Sequence, residues 1–294
     1  MLSEQFKRRH TGVLLIAPTL VIVATFTLFP MVEGLRLSLT NTNIYRRTSE
    51  FIGLANFVRM LSDEIFWISL WNSIVITTVA VVLQLILGLA IASALKQDDI
   101  PGVKLMRNVI MASWVIPVVA TVVIFRFMSQ PDYGFINMVF RSLGLDHLNS
   151  NWFGNINTAR PMIIIMHVWR NAPFYALAFL AAMQAISKDQ YDAAKIDGAG
   201  TWQTFTKVTL PGIRSMIIVM VTIHVLWTFN NFDFVYIATG GGPINRTDIL
   251  AVYVYRLAWS NYTVGYGASV GTVMLVILMI YFVVYMNIYE RKSR

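Results

Sequence analysis

The sequence predicts an all-α integral membrane protein with six transmembrane helices and a helix-turn-helix loop on the cytoplasmic side. Of its 294 residues, 56% are hydrophobic and only 13% are charged, whereas a soluble domain carries about a quarter charged residues. The apolar residues fall into stretches of about 20, the length that crosses a bilayer as a helix. The chain has no cysteine, which excludes disulfides and thiolate metal sites.

Six apolar stretches define the predicted spans, within one transmembrane domain that covers residues 1–294. The first stretch follows the basic residues Lys7, Arg8 and Arg9, which is also compatible with a signal peptide. It is longer than a signal-peptide core and no small-residue cleavage site follows, so we interpret it as a retained helix. The spans lie at residues 11–32, 65–95, 108–128, 161–186, 215–237 and 263–289.

The positive charges predict that both termini lie in the cytoplasm. With the N-terminus inside, the cytoplasmic segments are 1–10, 96–107, 187–214 and 289–294. They contain all seven lysines of the chain, and Lys and Arg are enriched in cytoplasmic loops. The net charge of +8 is therefore explained by membrane topology, and we expect no nucleic-acid partner.

Residues 187–212 form the most informative loop. Ser187 and Gln190 make a capping-box pattern that opens a helix, Gly198 and Gly200 break it, and Pro211 closes a second helix. The second helix carries an apolar ridge at helical spacing, formed by Trp202, Phe205 and Val208. Such a ridge suits a groove in a partner protein and also suits the lipid surface, and the residues alone do not decide between the two.

Two ionisable residues fall near the middle of predicted spans. Arg170 and His224 each lie nine residues inside a span, which at 1.5 Å per residue is about 14 Å into a core about 30 Å thick. Residues of this kind face a cavity or a polar partner. Arg170 could instead bond to helix carbonyls or to Asp233, and His224 could be an ordinary interhelical histidine.

Polar and aromatic side chains accompany these two residues. Thr228 and Asn231 follow His224 at i+4 and i+7, which places them on one helix face, and Asn171 and Phe174 lie beside Arg170. Hydrogen-bonding groups next to a flat apolar ring suit the hydroxyls and the C–H face of a sugar. The predicted substrate site is Arg170, Asn171, Phe174, His224, Thr228 and Asn231.

The loop and several further segments resemble one family. Asp192-Ala193-Ala194, Asp197-Gly198-Ala199 and Leu210-Pro211 resemble the EAA loop of binding-protein-dependent ABC importer permeases, with Asp192 in place of the family's glutamate. The resemblance extends to the carbohydrate class of these permeases, similar to the first permease of the maltose and glycerol-phosphate importers. It continues through Trp169–Phe174, Asn230–Phe232, Thr239–Pro243, Tyr253–Tyr255 and Gly265–Ala268.

This resemblance implies an inner-membrane permease of a bacterial ATP-driven sugar importer. Its partners would be a second related permease, a cytoplasmic ATPase dimer and an extracytoplasmic substrate-binding protein. The loop would seat in a cleft of the ATPase. The coupling residues implied are Asp192, Ala193, Ala194, Asp197, Gly198, Ala199 and Pro211. ATP and Mg would be bound by the ATPase, because this chain has no G-x-x-x-x-G-K-[ST] phosphate loop, and we expect no metal or other cofactor here.

Three alternatives remain open at this point. Because of Arg170, the substrate could be anionic: a glycerol-phosphate, a sulfonated sugar or a uronic sugar. An ion-coupled secondary transporter would need two similar halves, and the chain shows no such repeat. A membrane enzyme would need a catalytic constellation, but the four histidines are scattered and no G-x-S-x-G motif occurs.

Overall fold

The computed structural model describes residues 15–96 and 102–293, and the chain in these ranges is almost entirely helical. Its contacts divide the chain into two units. One unit is continuous, Glu64–Val252, and the other combines the chain up to Asp63 with the chain from Tyr253 onward. Residues 11–14 of the first predicted span lie outside the described residues.

Among the described residues, four helices are long and apolar enough to cross a membrane, and two bent helix pairs bring the number to six if each pair is one span. The four single helices are α1, α3, α7 and α13. In chain order the helices are α1 (Leu15–Ser38), α2 (Ala55–Leu61), α3 (Glu64–Leu95), α4 (Val103–Val115), α5 (Val118–Met128), α6 (Phe135–Ser142), α7 (Ala159–Gln184), α8 (Lys188–Ile196), α9 (Thr201–Gly212), α10 (Arg214–Phe229), α11 (Phe232–Thr239), α12 (Leu250–Tyr255) and α13 (Val264–Ser293).

The predicted span 108–128 is divided into two helices. α4 and α5 meet at an angle of 95°, and Ile116 between them has the extended conformation φ −59°, ψ 129°. Pro117 causes this break, because it has no backbone N–H and disfavours helical geometry in the residue before it. The break leaves the last carbonyl groups of α4 and the first N–H groups of α5 without helical partners.

The predicted span 215–237 is also interrupted. α10 ends at Phe229, and α11 begins three residues later at Phe232. The side-chain oxygen of Asn231 accepts a hydrogen bond from the Phe234 N–H, 3.2 Å away, which caps the new helix. At the other end of α10, α9 approaches at an angle of 67° and ends at Gly212, one residue after Pro211.

α3 and α7 pack closely in the continuous unit. A Cβ atom added at Gly88 would lie 2.4 Å from the Tyr175 Cβ and 3.3 Å from the Ala176 nitrogen, so this position admits only glycine without a shift of the helices. One turn away, the Gln84 Nε2 donates to the His167 carbonyl at 3.2 Å. Glycine packing and a buried amide therefore fix the position of α3 against α7.

Buried amides also hold two loops of this unit. The Asn72 Nδ2 on α3 donates to the carbonyls of Asn245 and Asp248, each at 2.9 Å, which anchors the segment that follows Gly240–Pro243. The Asn137 side chain on α6 bonds to Ser150 through both of its polar atoms. Asn137, which is fully buried, thus ties α6 to the later part of the connection between α5 and α7.

The other unit is built on α1 and α13. The Asn56 Nδ2 donates to the carbonyls of Ser38 and Thr40, each at 2.9 Å, and so holds the turn after α1. The hydroxyls of Tyr253 and Tyr266 both donate to the Asp63 carboxylate. These bonds give a structural role to two tyrosines of the segments Tyr253–Tyr255 and Gly265–Ala268, which resemble the permease family.

Candidate substrate cavity and coupling loop

A cavity of about 560 Å³ lies where the broken helices meet the middle of α7. Its wall combines charged and amide side chains with aromatic rings, and it lies wholly within the Glu64–Val252 unit. The lining residues are Trp114, Val118, His167, Arg170, Asn171, His224, Leu226, Trp227, Thr228, Asn230, Asn231, Phe232, Asp233 and Phe234.

Arg170 lines the cavity and also supports the break between α4 and α5. Its Nη2 donates to the Ile116 carbonyl at 3.0 Å, so it satisfies one of the carbonyl groups that the break exposes. This carbonyl belongs to the residue that follows α4, and among the described residues no hydrogen bond joins Arg170 to Asp233. Arg170 lines the cavity, and its Nε is buried without a hydrogen-bond partner among the described residues.

His224 is 1% exposed and is surrounded by aromatic rings. The Tyr175 ring lies 4.4 Å away, the Trp227 ring 5.4 Å and the Phe174 ring 5.8 Å, between ring centroids. Its Nε2 has no hydrogen-bond partner among the described residues. Buried polar atoms usually have a partner, and this nitrogen is buried without one in a residue that borders the cavity.

His167 is a second buried histidine in the cavity wall. It is 1% exposed, its ring stacks on Phe234 with 4.1 Å between centroids, and its Nδ1 has no partner among the described residues. His167 is not among the six residues of the predicted substrate site. It lies three residues before Arg170 on the same helix, and this spacing places both on one face, which was the signal available.

Five of the six residues of the predicted substrate site line this one cavity, and Phe174 does not. Phe174 lies behind the wall, stacked on Trp114 with 5.1 Å between ring centroids. Asn231 reaches the cavity from the cap of α11 and not from a continuous face of α10, since α10 ends at Phe229. Asn171 uses its Nδ2 to donate to the His167 carbonyl at 2.9 Å.

The aromatic part of the cavity wall was also missed. Trp114, Trp227 and Phe232 supply ring faces. Trp227 follows His224 by three residues, so its side could have been inferred from the helical period. Trp114 could not, because its direction depends on the 95° bend at Pro117.

The loop after α7 consists of two helices joined by a glycine turn. The Ser187 Oγ accepts from the Asp189 N–H at 3.3 Å at the start of α8. Gly198 has φ +75°, a conformation that other residues rarely adopt, and the Gln203 Oε1 accepts from the Gly200 N–H at 3.1 Å before α9. The loop thus consists of α8, the turn at residues 197–200, and α9.

The residues implied to be coupling residues lie on both helices of this loop and in the turn between them. Asp192, Ala193 and Ala194 lie on α8, and Pro211 lies in the last turn of α9. Asp197, Gly198 and Ala199 make the turn. Two large apolar side chains flank the turn and are uncovered: Ile196 is 87% exposed and Trp202 is 73% exposed.

Comparison with known proteins points to one family. Residues 84–294 match the family described as binding-protein-dependent transport system inner membrane component. The inner membrane ABC transporter permease protein YcjO of Escherichia coli is 34% identical over 91% of this chain and 90% of that protein. A trehalose/maltose transport system permease of Thermococcus litoralis is 30% identical, over 97% of this chain and 95% of its own. A sulfoquinovosyl glycerol transport system permease of Agrobacterium fabrum is 31% identical over 97% of this chain and 92% of that protein.

A solved structure shares the fold. It is a chain of a bacterial ABC transporter involved in the import of the acidic polysaccharide alginate, with a TM-score of 0.88 and 21% identity, covering 100% of this chain and 99% of that one. In this family the permease is the membrane component, and the ATPase is a separate subunit. The family match, the similarity to relatives over nearly the full length and the apolar helices all support the same assignment. This chain belongs to the multi-pass inner-membrane permeases of binding-protein-dependent ABC transporters.

Proposed function

We propose that this chain carries a sugar or sugar derivative inward across the membrane, driven by ATP hydrolysis in a partner subunit. The observation that supports this most directly is the cavity, whose volume of about 560 Å³ falls within the range of about 300–1,000 Å³ usual for small-molecule sites. The names of two relatives, a trehalose/maltose permease and a sulfoquinovosyl glycerol permease, favour the same class of substrate.

The cavity offers both kinds of contact that a sugar needs. Asn171, Thr228 and Asn231 present hydrogen-bonding groups to hydroxyls. His167 and His224 border the same cavity, each with a buried ring nitrogen that has no partner in the part of the chain that the structure describes. Trp114, Trp227 and Phe232 present ring faces for the apolar side of the sugar ring. Phe174, behind Trp114, keeps that ring in position and does not itself touch the substrate.

An anionic sugar derivative is the second candidate. Arg170 borders the cavity while only one of its nitrogens is engaged with Ile116. A guanidinium can hold a carboxylate, sulfonate or phosphate through two parallel hydrogen bonds, and lysine does not reproduce that geometry. Asp233, which also lines the cavity, opposes an anion and makes the neutral sugar the first candidate.

The test is uptake by the reconstituted transporter with neutral sugars and with acidic sugars. We expect Asn231→Ala to slow uptake severalfold, because a net hydrogen bond contributes about 0.5–1.5 kcal/mol. We expect Phe174→Ala to slow uptake as well, because Trp114 loses the ring on which it stacks. If the substrate is neutral, Arg170→Lys transports it at close to the parent rate. If Arg170→Lys assembles and fails only with acidic sugars, the anionic candidate is correct. Parent-rate uptake by both Asn231→Ala and Phe174→Ala would place the substrate elsewhere.

We further propose that the α8–α9 loop docks on a cytoplasmic ATPase. The exposed Ile196 and Trp202 would fill an apolar groove, and Asp192 would accept a charge-assisted hydrogen bond from a basic group of the ATPase. Within the chain the Asp192 carboxylate lies 3.9 Å from the Lys195 Nζ, an exposed pair that is weak and so can be exchanged for a partner. ATP and Mg would be bound by that partner, which acts as a dimer.

The remaining proposed partners are a second, related permease and an extracytoplasmic binding protein. The family description supports the binding protein directly, since it names a binding-protein-dependent system. A second permease would complete the membrane path beside this chain. These assignments extend the resemblance found in the sequence.

The proposed orientation places both termini in the cytoplasm. It rests on the lysines, three of which lie in the α8–α9 loop, as expected for a cytoplasmic segment. The chain has no cysteine, so single-cysteine variants need no prior removal of thiols. We expect Lys195→Cys to react only with reagent on the cytoplasmic side and Asn149→Cys only with reagent outside. Reaction of both from the same side would refute this topology.

A further inference from the structure

Tyr191 connects three separate parts of the continuous unit. It lies on α8, directly before Asp192, and it is half-buried whereas its neighbours Asp189 and Gln190 are exposed. The Lys96 Nζ lies 3.4 Å from the centre of its ring, and its hydroxyl is 3.2 Å from the Thr209 Oγ1. One side chain therefore contacts both helices of the loop and the end of α3.

The contact with Lys96 is the one that chain connectivity does not supply. The loop is covalently continuous with α7 and α10, but Lys96 follows the last residue of α3 and is 95 positions away from Tyr191. A cation at a helix C-terminus is stabilised by the helix dipole, and an ammonium over an aromatic face is attracted to the ring. Both effects hold Lys96 between α3 and the loop.

The Thr209 contact makes the loop behave as one body. Thr209 is buried on α9, and the Tyr191 hydroxyl joins it to α8. Close packing reinforces this end of the loop, because a Cβ atom added at Gly212 would lie 2.6 Å from the Ile186 Cδ1. Because α8 and α9 are held together, a displacement of the loop would move Lys96 and would not be lost as a shift of α8 relative to α9.

α3 in turn contacts α7, the helix that carries part of the cavity wall. Gly88 packs directly on Tyr175 of α7, and the Gln84 Nε2 donates to the carbonyl of His167, a residue of the cavity wall. Close-packed helices transmit displacement because they have no free volume in which to slip. A displacement of the Lys96 end of α3 would consequently reach the helix that carries His167, Arg170 and Asn171.

We infer that Tyr191 is a positioning residue that transmits movement of the α8–α9 loop to α3 through Lys96, and from α3 to the cavity. This inference rests on the coupling function proposed for the loop. It assigns α3 a mechanical role, although α3 adjoins neither end of the loop in sequence. It also gives Tyr191 a role distinct from docking, since its ring faces Lys96 within the chain.

The experiment follows cavity opening with a cysteine reporter and needs no knowledge of the substrate. Val118→Cys places a thiol in the cavity wall of a chain that otherwise has none. The assembled transporter is treated with a membrane-impermeant maleimide, with and without ATP and vanadate. Tyr191→Leu, Lys96→Met and their double variant are added to this background. Lys96→Arg and Tyr191→Phe are the matched controls, because both keep a cation over an aromatic ring.

We expect Lys96→Met and Tyr191→Leu each to reduce the nucleotide-induced change in labelling rate about fivefold or more. The double variant should be no worse than Tyr191→Leu, since each single variant already lacks the contact between Lys96 and the Tyr191 ring. Lys96→Arg should retain the parent change, and Tyr191→Phe most of it. ATP hydrolysis and co-purification of the ATPase should persist throughout.

The possible outcomes distinguish the role of Tyr191 and Lys96 from the coupling function proposed for the α8–α9 loop. Gly198→Val in the reporter background tests the loop itself, and a parent-like labelling change in that variant would refute the coupling function. If Gly198→Val abolishes the change while Lys96→Met and Tyr191→Leu preserve it, the loop couples by another route and the inference is wrong. Equal loss in Lys96→Arg and Lys96→Met would also overturn it, because a positive charge over the ring would then be irrelevant.

Discussion

At the scale of single residues, Gly88 sets how closely two membrane-spanning helices approach. Its missing Cβ would lie 2.4 Å from the Cβ of Tyr175, next to the backbone of α7 and not at the end of a flexible side chain. Neither helix can yield locally, so any larger residue must separate α3 from α7. The hydrogen bond from Gln84 to the His167 carbonyl, one turn away, depends on that separation.

We therefore expect Gly88→Ala to lower the stability of the permease by about 1–3 kcal/mol, the usual cost of overpacking. Gly271→Ala is the matched control, because its Cβ would meet no atom within 4 Å and alanine is the better helix former. The measurement is the midpoint of thermal unfolding in detergent, followed by tryptophan fluorescence. Equal midpoints for the two variants would show that the close contact does not limit the packing.

At the scale of elements, the apolar pattern was enough to predict helices but not their breaks. The stretches of about 20 apolar residues predicted where α3, α7 and α13 lie, since length and hydropathy are local properties. The breaks at Pro117 and at Asn230–Asn231 were missed, although both carry recognisable residues, because a proline or asparagine inside an apolar stretch does not by itself show that the helix bends. The 95° bend between α4 and α5 is seen only in the structure.

The same limit explains what was and was not predicted of the site. Arg170 and His224 were found from their depth, which follows from counting residues along a helix. The sequence could not show that Phe174 lies behind Trp114, since the position of Trp114 depends on the 95° bend. His167 was within reach of helical spacing. The two unpaired imidazole nitrogens became evident only with the structure.

At the scale of the whole molecule, the continuous unit contains both ends of the proposed machinery. The cavity and the α8–α9 loop lie within Glu64–Val252, and α3, α7 and α10 run between them. Binding or hydrolysis of ATP in a partner can act on transport only if it favours one arrangement of these helices over another. The loop presents two exposed apolar side chains, Ile196 and Trp202, beside a glycine turn.

Gly198 adopts a backbone conformation in that loop that few other residues tolerate. Its φ of +75° disfavours a β-branched residue strongly, whereas the space around it is open, with no atom within 4 Å of an added Cβ. Gly198→Val therefore alters the turn between α8 and α9 without a clash elsewhere. The change is confined to the angle at which the loop presents its two helices.

The most direct measurement is ATP-dependent sugar uptake into proteoliposomes that contain the assembled transporter, with ATP hydrolysis recorded in the same vesicles. For the parent chain we expect uptake that requires both ATP and the binding protein. For Gly198→Val, inserted at the same level, we expect hydrolysis to continue while the sugar transported per ATP falls about tenfold or more. Uptake per ATP equal to that of the parent would contradict the coupling of this loop to the cavity.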